Sequence, residues 1–174
     1  HVIMPAVRPF APSSGGPGPY LEGGDIICFQ NHLFVGESDI ATNRAGTDWL
    51  SDYITPFGYQ VHPMPMHGSI LHLLGTMVLV ADGVLLLYRD ELNCDLPAPL
   101  ADWDVIDLTE EEARAYATVG VSLDDKRYVI PAGLGRVCDE LVKRGVEPIE
   151  IEYDQVSFWG GCVSCSTHGI WRDP

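Results

Sequence analysis

The sequence predicts an α/β protein assembled from similar small modules, in which β-hairpins alternate with single helices and further strands. Three observations carry this. Hairpin signals recur at Gln30-Asn31, Asp82-Gly83 and Asp124-Asp125, each set between apolar runs. Apolar residues at helical spacing occur only in short stretches that end at caps or breakers. The strand-strand-helix-strand order returns at a spacing of roughly 50 to 60 residues.

The elements follow in order. Residues 1–20 are rich in Pro, Gly and Ser and read as a loop or a remnant of something preceding. Ile26–Phe29 and His32–Val35 make the first hairpin. Thr42–Ile54 places Trp49, Leu50, Tyr53 and Ile54 at helical spacing, and Pro56 ends it. Tyr59–His62 is a short strand. Ile70–Val80 and Val84–Tyr88 are β-rich runs joined at Asp82-Gly83. Val105–Leu108 is another short strand. Thr109 followed by Glu112 is a capping box, which starts a helix over Glu110–Tyr116. Val119–Leu123 and Arg127–Ile130 pair across Asp124-Asp125. Leu134–Arg144 carries Leu134, Val137, Cys138 and Leu141 on one face and stops at Gly145, so it is a helix. Glu147–Tyr153 is the strand after it. Residues 21–174 thus read as one domain portion.

Composition bounds the function. The chain has 174 residues, with 10 Lys and Arg against 25 Asp and Glu, for a net charge of −15. Phosphate recognition needs a basic footprint, so nucleic acid is excluded as a partner, and anionic membrane surfaces with it. The chain has no apolar run of the 18 or so residues that a membrane span requires. Five cysteines (Cys28, Cys94, Cys138, Cys162, Cys165) at irregular spacing read as reduced thiols of a cytoplasmic protein. The chain opens at His1 with no signal-like segment, which reads as a processed, truncated or incompletely described start.

Four places can carry chemistry. In Leu21-Glu22-Gly23-Gly24-Asp25 two acids flank two glycines just before a strand, either pointing carboxylates into a cleft or making a solvated turn. His72 lies in the apolar run Ile70–Leu74, which makes it at least half-buried. It is a core histidine, or a general acid/base if a carboxylate orients it. His67, in a Gly-Ser turn, is the strongest of its rivals, ahead of His32 and His62. The third place is the stretch Phe158–Thr167. Its paired glycines, Gly160 and Gly161, precede Cys162 and can shape a loop whose amides lower a thiol pKa or hold an anion. Cys162-x-x-Cys165 also fits a redox pair or half a zinc site, with His168 as a third ligand where structural zinc takes four. No helix is expected after Cys162, and a buried structural cysteine is the plain alternative for either thiol. The fourth, the acidic cluster Asp102, Asp104, Asp107 and Glu110–Glu112, reads as a solvated helix start suited to the macrodipole.

Together these motifs resemble the amidinotransferase superfamily, which includes arginine:glycine amidinotransferases, dimethylarginine dimethylaminohydrolases and arginine deiminases. Leu21–Asp25 resembles its acid-Gly-Gly-Asp motif. Thr42-Asn43 with Gly46 and Trp49-Leu50 resembles its Thr-Asn-x-x-Gly-x-x-Trp stretch. Leu71-His72-Leu73 falls at the family's histidine, Val121–Arg127 resembles its last hairpin, and Gly160-Gly161 through Cys165 and Thr167 to Arg172 resembles its nucleophile loop. Five motifs in order at compatible spacing are specific, and their ungapped match favours the transferase branch.

The resemblance implies a pentein-like α/β-propeller of ββαβ modules, of which this chain would hold about three of five. It implies a Cys-His-acid constellation working without metal or organic cofactor. Cys165 would be the nucleophile, His72 the acid/base and Glu22 its orienting partner. Asp25, Ser69, Leu74, Val119 and Gly161 would line the substrate. That substrate would be a small guanidino or amine compound, which a net charge of −15 attracts if it is cationic. Three positions depart from the family pattern. Leu74 stands where a substrate-holding Asp is usual, and Ala117 and Val119 where the last hairpin offers Ser or Asn. The machinery is thus retained while the cradle is rebuilt. Amidino transfer, hydrolysis in the same fold and a non-catalytic partner subunit are the three functions to separate. Homo-oligomerisation, or association with an N-terminal part lying before His1, would cover exposed sheet edges.

Overall fold

The computed structural model describes residues 18–167 of the chain. The proline-rich start through residue 17, His168 and Arg172 lie outside them. The chain divides into two compact units. One combines residues up to Thr76 with the segment Arg89–Ala101, and the other combines Met77–Tyr88 with the chain from Asp102 onward.

The first unit is built on β1 (Ile26–Phe29) and β2 (His32–Glu37), an antiparallel hairpin that sets Ile26 opposite Val35. Its turn places Gln30 at φ 52°. The crossover helix α1 (Arg44–Ile54) returns the chain to β3 (Gln60–Pro65), which pairs parallel to β2. Asn43 caps α1 by accepting the Gly46 N–H. The expected helix thus begins two residues later than its apolar spacing suggested, because Asn43 is its cap and Thr42 lies before it. Leu50 packs on Leu33 and Val35, with Ile26, Trp49, Ile54 and Val61 around them. The strand expected at Tyr59–His62 runs on to Pro65, because its pairing with β2 continues to Glu37.

The largest difference from the sequence reading lies at residues 70–76. The apolar run was expected to be strand throughout, whereas Leu73–Thr76 forms one helical turn, α2, and the strand β4 (Met77–Ala81) starts only after it. Leu73 and Thr76 are buried in this turn, so the apolar pattern records burial there and not pleating.

In the second unit β4 and β5 (Val84–Leu87) form the hairpin expected at Asp82-Gly83, and β6 (Asp104–Asp107) pairs parallel to β5. The intervening chain contains Pro97 and Pro99 and makes 3-10 turns at Arg89–Glu91 and Ala98–Leu100 in place of a crossover α-helix. Helix α3 (Glu110–Arg114) carries the capping box of Thr109 and Glu112. Glu112 also pairs with Arg136, and Asp104 with Arg144, so part of the acidic cluster is neutralised by salt bridges. The last sheet repeats the first: β7 (Val121–Asp124) antiparallel to β8 (Arg127–Pro131), helix α4 (Gly135–Lys143), then β9 (Glu147–Ile151) parallel to β8. A short helix α5 (Asp154–Ser157) follows.

Val78, Val80 and Leu86 join Tyr128, Ile130, Val137 and Leu141 in one core cluster of this unit. Fully burying such side chains stabilises by about 1.5–3 kcal/mol each. All three sheets have the same three-stranded order, an antiparallel pair extended by a parallel strand. Among the described residues no helix is long and apolar enough to cross a membrane.

Candidate active site

In the first unit the acid-Gly-Gly-Asp motif is a single 3-10 turn, Gly23–Asp25, with Glu22 extended just before it. Glu22 Oε2 lies 2.7 Å from His72 Nε2. Both side chains are partly exposed. The glycine between the acids explains the motif. A Cβ on Gly24 would come within 2.6 Å of His72 Nδ1, so only glycine lets the ring lie against the turn while its other nitrogen meets Glu22.

Asp25 is buried, and both of its oxygens are engaged. Oδ1 accepts the Leu73 N–H at 2.9 Å and Oδ2 accepts the Thr42 N–H at 3.1 Å. Burial raises its pKa above the ordinary carboxylate value of 3.8, opposed by hydrogen bonds from Thr42 and Leu73 and by the nearby His72. Asp25, expected at the substrate, clamps the residue that follows His72. Gly36 leaves room for it, since a Cβ there would meet Asp25 Oδ1 at 2.7 Å.

The Thr-Asn-x-x-Gly motif supports the same turn from behind. Thr42 Oγ1 accepts the Glu22 N–H at 2.9 Å, Asn43 Oδ1 accepts the Tyr20 N–H at 3.0 Å, and a Cβ on Gly46 would collide with the Tyr20 carbonyl oxygen. His72 sits just before α2 and not within a strand. Its rivals have other occupations. The His32 and His62 rings bond each other at 3.0 Å, and His62 stacks on Phe34. His67 is exposed, and its backbone N–H is held by the Glu91 carbonyl.

Sequence reasoning missed Glu91. It is buried at 1% exposure, and its carboxylate gathers the loop ahead of His72. Oε1 accepts the N–H groups of Gly68 at 2.6 Å, Ser69 at 2.9 Å and Ile70 at 3.3 Å, and Oε2 accepts the Ser69 hydroxyl. Four donors to one carboxylate satisfy a buried charge without a cation. Ser69, expected at the substrate, spends its hydroxyl on this clamp. Glu91 lies more than 20 residues from all of these partners, so no local pattern announces it. Leu74, also expected at the substrate, is half-buried on α2.

In the second unit the two cysteines of Cys162-x-x-Cys165 part company. Cys162 is fully buried against Val119 and Val163, and that burial pushes its thiol pKa up. Cys165 is an exposed free thiol in a 3-10 turn, Ser164–Ser166. The sequence led us to expect no helix after Cys162, but this turn forms because the Cys165 and Ser166 amides bond back to the Cys162 and Val163 carbonyls, both at 3.1 Å. Gly161 is in ordinary contact with Cys165, where an added Cβ would stand 3.9 Å from Sγ.

Val119, expected to line the substrate, is the seat of this loop. Its side chain packs on Cys162 and Val163, and its carbonyl accepts the Ser164 N–H at 3.1 Å. An apolar residue suits that seat better than the Ser or Asn of the family pattern. Beside it lies an open groove of about 660 Å³ lined by Tyr116, Pro131, Tyr153 and Phe158 and by the acids Glu152 and Asp154. Among the described residues no group of three or more His, Cys, Asp or Glu could hold a metal ion.

No protein-family model matches the chain. An uncharacterised protein of Bacillus subtilis, YkgA, is 28% identical over 153 residues, which cover 87% of this chain and 52% of that protein. The N(G),N(G)-dimethylarginine dimethylaminohydrolase of Pseudomonas aeruginosa is 25% identical over 169 residues, covering 95% of this chain and 63% of the enzyme. Among solved structures, SxtG, an amidinotransferase from Microseira wollei in saxitoxin biosynthesis, superposes with a TM-score of 0.77 at 20% identity, covering 87% of this chain and 47% of that one. The chain therefore spans about half the length of the curated relatives it matches. In sequence and in fold it is similar to the amidinotransferase, or pentein, superfamily, as its motifs suggested.

Proposed function

We propose that this chain carries the catalytic portion of an enzyme that acts on a small guanidino or amidino compound through a covalent cysteine intermediate. The observation that carries the reading is the Glu22–His72 pair, buttressed by Gly24 and by the Asp25 clamp on Leu73. A carboxylate that fixes the orientation of an imidazole ring is what a general acid/base requires. Cys165, a free thiol exposed on its own tight turn, is the nucleophile.

The chemistry balances in two displacements. The Cys165 thiolate adds to the electrophilic amidino carbon, and the C–N bond to the leaving amine breaks as His72 delivers a proton to that nitrogen. The neutral imidazole then removes a proton from the second nucleophile, whose attack breaks the C–S bond and returns the thiolate. Dividing the reaction in this way lowers each barrier. With an amine as the second nucleophile the reaction is amidino transfer, and with water it is hydrolysis of the deiminase or dimethylargininase type. We take transfer as the primary reading, because the ungapped motif match favours that branch.

The excess of acidic residues favours a cationic substrate. With Leu74 on α2, the substrate cradle does not use a carboxylate there, which points to a substrate with a more apolar neighbouring group. The repeated three-stranded sheets support a propeller of ββαβ modules, three of the five in this chain, completed by further chain or by a second copy.

Product analysis separates the readings. Arginine labelled in the guanidino group is incubated with the protein, with and without an acceptor amine. Label that moves to the acceptor only when one is present supports transfer, and citrulline formed regardless of acceptor overturns transfer in favour of hydrolysis. A Cys165 that reacts with a thiol probe no faster than exposed Cys94 favours a non-catalytic partner subunit.

A further inference from the structure

The geometry points to Tyr128 as a positioning residue for Cys165, acting through the Ala117–Gly120 segment and the Val119 carbonyl. The inference rests on the reading of Cys165 as the nucleophile.

Tyr128 lies on β8 with no exposed surface, and its hydroxyl is fully used. It donates to the Ala117 carbonyl at 2.9 Å and accepts the Gly120 N–H at 3.0 Å. Both partners belong to the short segment that enters β7. That segment is tightly wound: Tyr116 stands at φ 64°, and the Val119 N–H bonds the Tyr116 carbonyl at 3.0 Å. Gly120 has no room for a side chain, since a Cβ would approach the Val129 carbonyl oxygen to 2.1 Å and the Tyr128 hydroxyl oxygen to 2.6 Å. Thus one phenol closes both ends of a turn whose middle residues are Thr118 and Val119.

Val119 is the point of contact with the cysteine turn. Its carbonyl takes the Ser164 N–H at 3.1 Å, the amide directly before Cys165. Among the described residues the other backbone bonds made by the amides of Cys165, Ser166 and Thr167 stay within residues 162–164. Among the described residues the cysteine turn is therefore tied to the sheet by one backbone hydrogen bond and by the packing of Cys162 and Val163 on Val119. Where a reacting group rests on so few supports, a displacement of its anchor carries directly into the reacting atom. Burial holds the Tyr128 phenol well above its ordinary pKa, so it stays protonated and keeps both bonds across the working pH range. Tyr128 has no exposed surface and reaches Cys165 only through these contacts, which makes it a positioning residue and not a catalytic one.

The test uses the whole chain carrying Tyr128→Phe, which keeps the ring and removes the hydroxyl. Iodoacetamide alkylation of Cys165 is followed by peptide mass spectrometry from pH 6 to 9, with Cys28 and Cys94 as exposed references in the same sample. Exchange of the Ser164 amide is followed in parallel. The expected result is a Cys165 rate lowered by about 10-fold with a shifted pH midpoint, unchanged Cys28 and Cys94 rates, and faster Ser164 exchange. Val137→Ala, a buried change on α4, serves as the control for general loss of stability. It lowers the unfolding temperature and leaves the Cys165 rate alone.

An unchanged Cys165 profile in Tyr128→Phe overturns the proposal, as does an equal slowing in Val137→Ala. A wild-type Cys165 that alkylates no faster than Cys28 overturns the nucleophile reading instead, and the Ser164 exchange then decides the anchoring by itself.

Discussion

Replacing Asp25 should loosen the turn after His72 by an amount the structure allows to be worked out. Asp25 is 1% exposed, and its two oxygens take the N–H groups of Thr42 and Leu73, both buried residues. Alanine leaves two buried donors without acceptors, at about 1–3 kcal/mol each, offset in part by relief from burying a carboxylate. The net local cost is about 2–4 kcal/mol. Asparagine keeps one acceptor but aims an amide N–H₂ at one of the two donors, so its cost is smaller, about 1–2 kcal/mol. The assay is native-state exchange of the Leu73 and Thr42 amides. A loss of 2 kcal/mol corresponds to exchange about 30-fold faster.

The pH dependence has a definite sign. The folded chain holds the Asp25 proton more tightly than the unfolded chain, because its folded pKa is raised above 3.8. This group's contribution to stability is therefore fully present below that value and is lost as pH rises through the elevated folded pKa. The stability difference between wild type and Asp25→Asn shrinks over that window as pH increases. Exchange at Leu73 and Thr42 that stays within a factor of two of wild type in Asp25→Ala, or a difference that grows with pH, would show that Asp25 does not hold this turn.

Other outcomes follow from the same geometry. Glu91→Gln converts two acceptor oxygens into one and turns an N–H₂ toward the Gly68–Ile70 amides or the Ser69 hydroxyl. We expect a loss of about 2–3 kcal/mol in urea unfolding and a drop in turnover with little change in KM, since the loop leads into His72. Wild-type stability in this variant would show that the loop holds without the carboxylate. Gly24→Ala drives a methyl into the His72 ring, so turnover should fall at least 10-fold while the Asp25 bonds keep the chain folded. Full activity there would detach His72 from the mechanism. Cys162→Ser and Cys165→Ser should separate cleanly. The first buries a hydroxyl in an apolar seat and costs about 1–3 kcal/mol of stability, whereas the second removes turnover and leaves the unfolding midpoint in place. The reverse pattern would exchange their roles.

The elements legible in sequence were those whose cause is local. Asn43 and the Thr109–Glu112 pair cap the helices they precede, Asp82-Gly83 closes its hairpin, and Gly145 ends α4. Run 70–80 misled because buried apolar residues look alike in a helical turn and a strand, and the bond from Leu73 N to Asp25 lies 48 residues away. The candidate site divides in the same way. Glu22, His72 and Cys165 were visible through motif chemistry. For Asp25, Ser69 and Val119 the sequence does not reveal the internal partners: Thr42 and Leu73 for the first, Glu91 for the second, Cys162 and Val163 for the third. Glu91 and Tyr128 stayed invisible, since each acts only through partners brought together by the fold.

The most direct measurement is of the covalent intermediate. The protein is incubated with guanidino-labelled arginine, quenched in acid during turnover, digested and mapped by mass spectrometry. The account predicts one amidino group on the peptide bearing Cys165, absent in Cys165→Ser and accumulating in His72→Ala if discharge is slowed more than formation. Turnover without label on that peptide, or label that persists in Cys165→Ser, would contradict it.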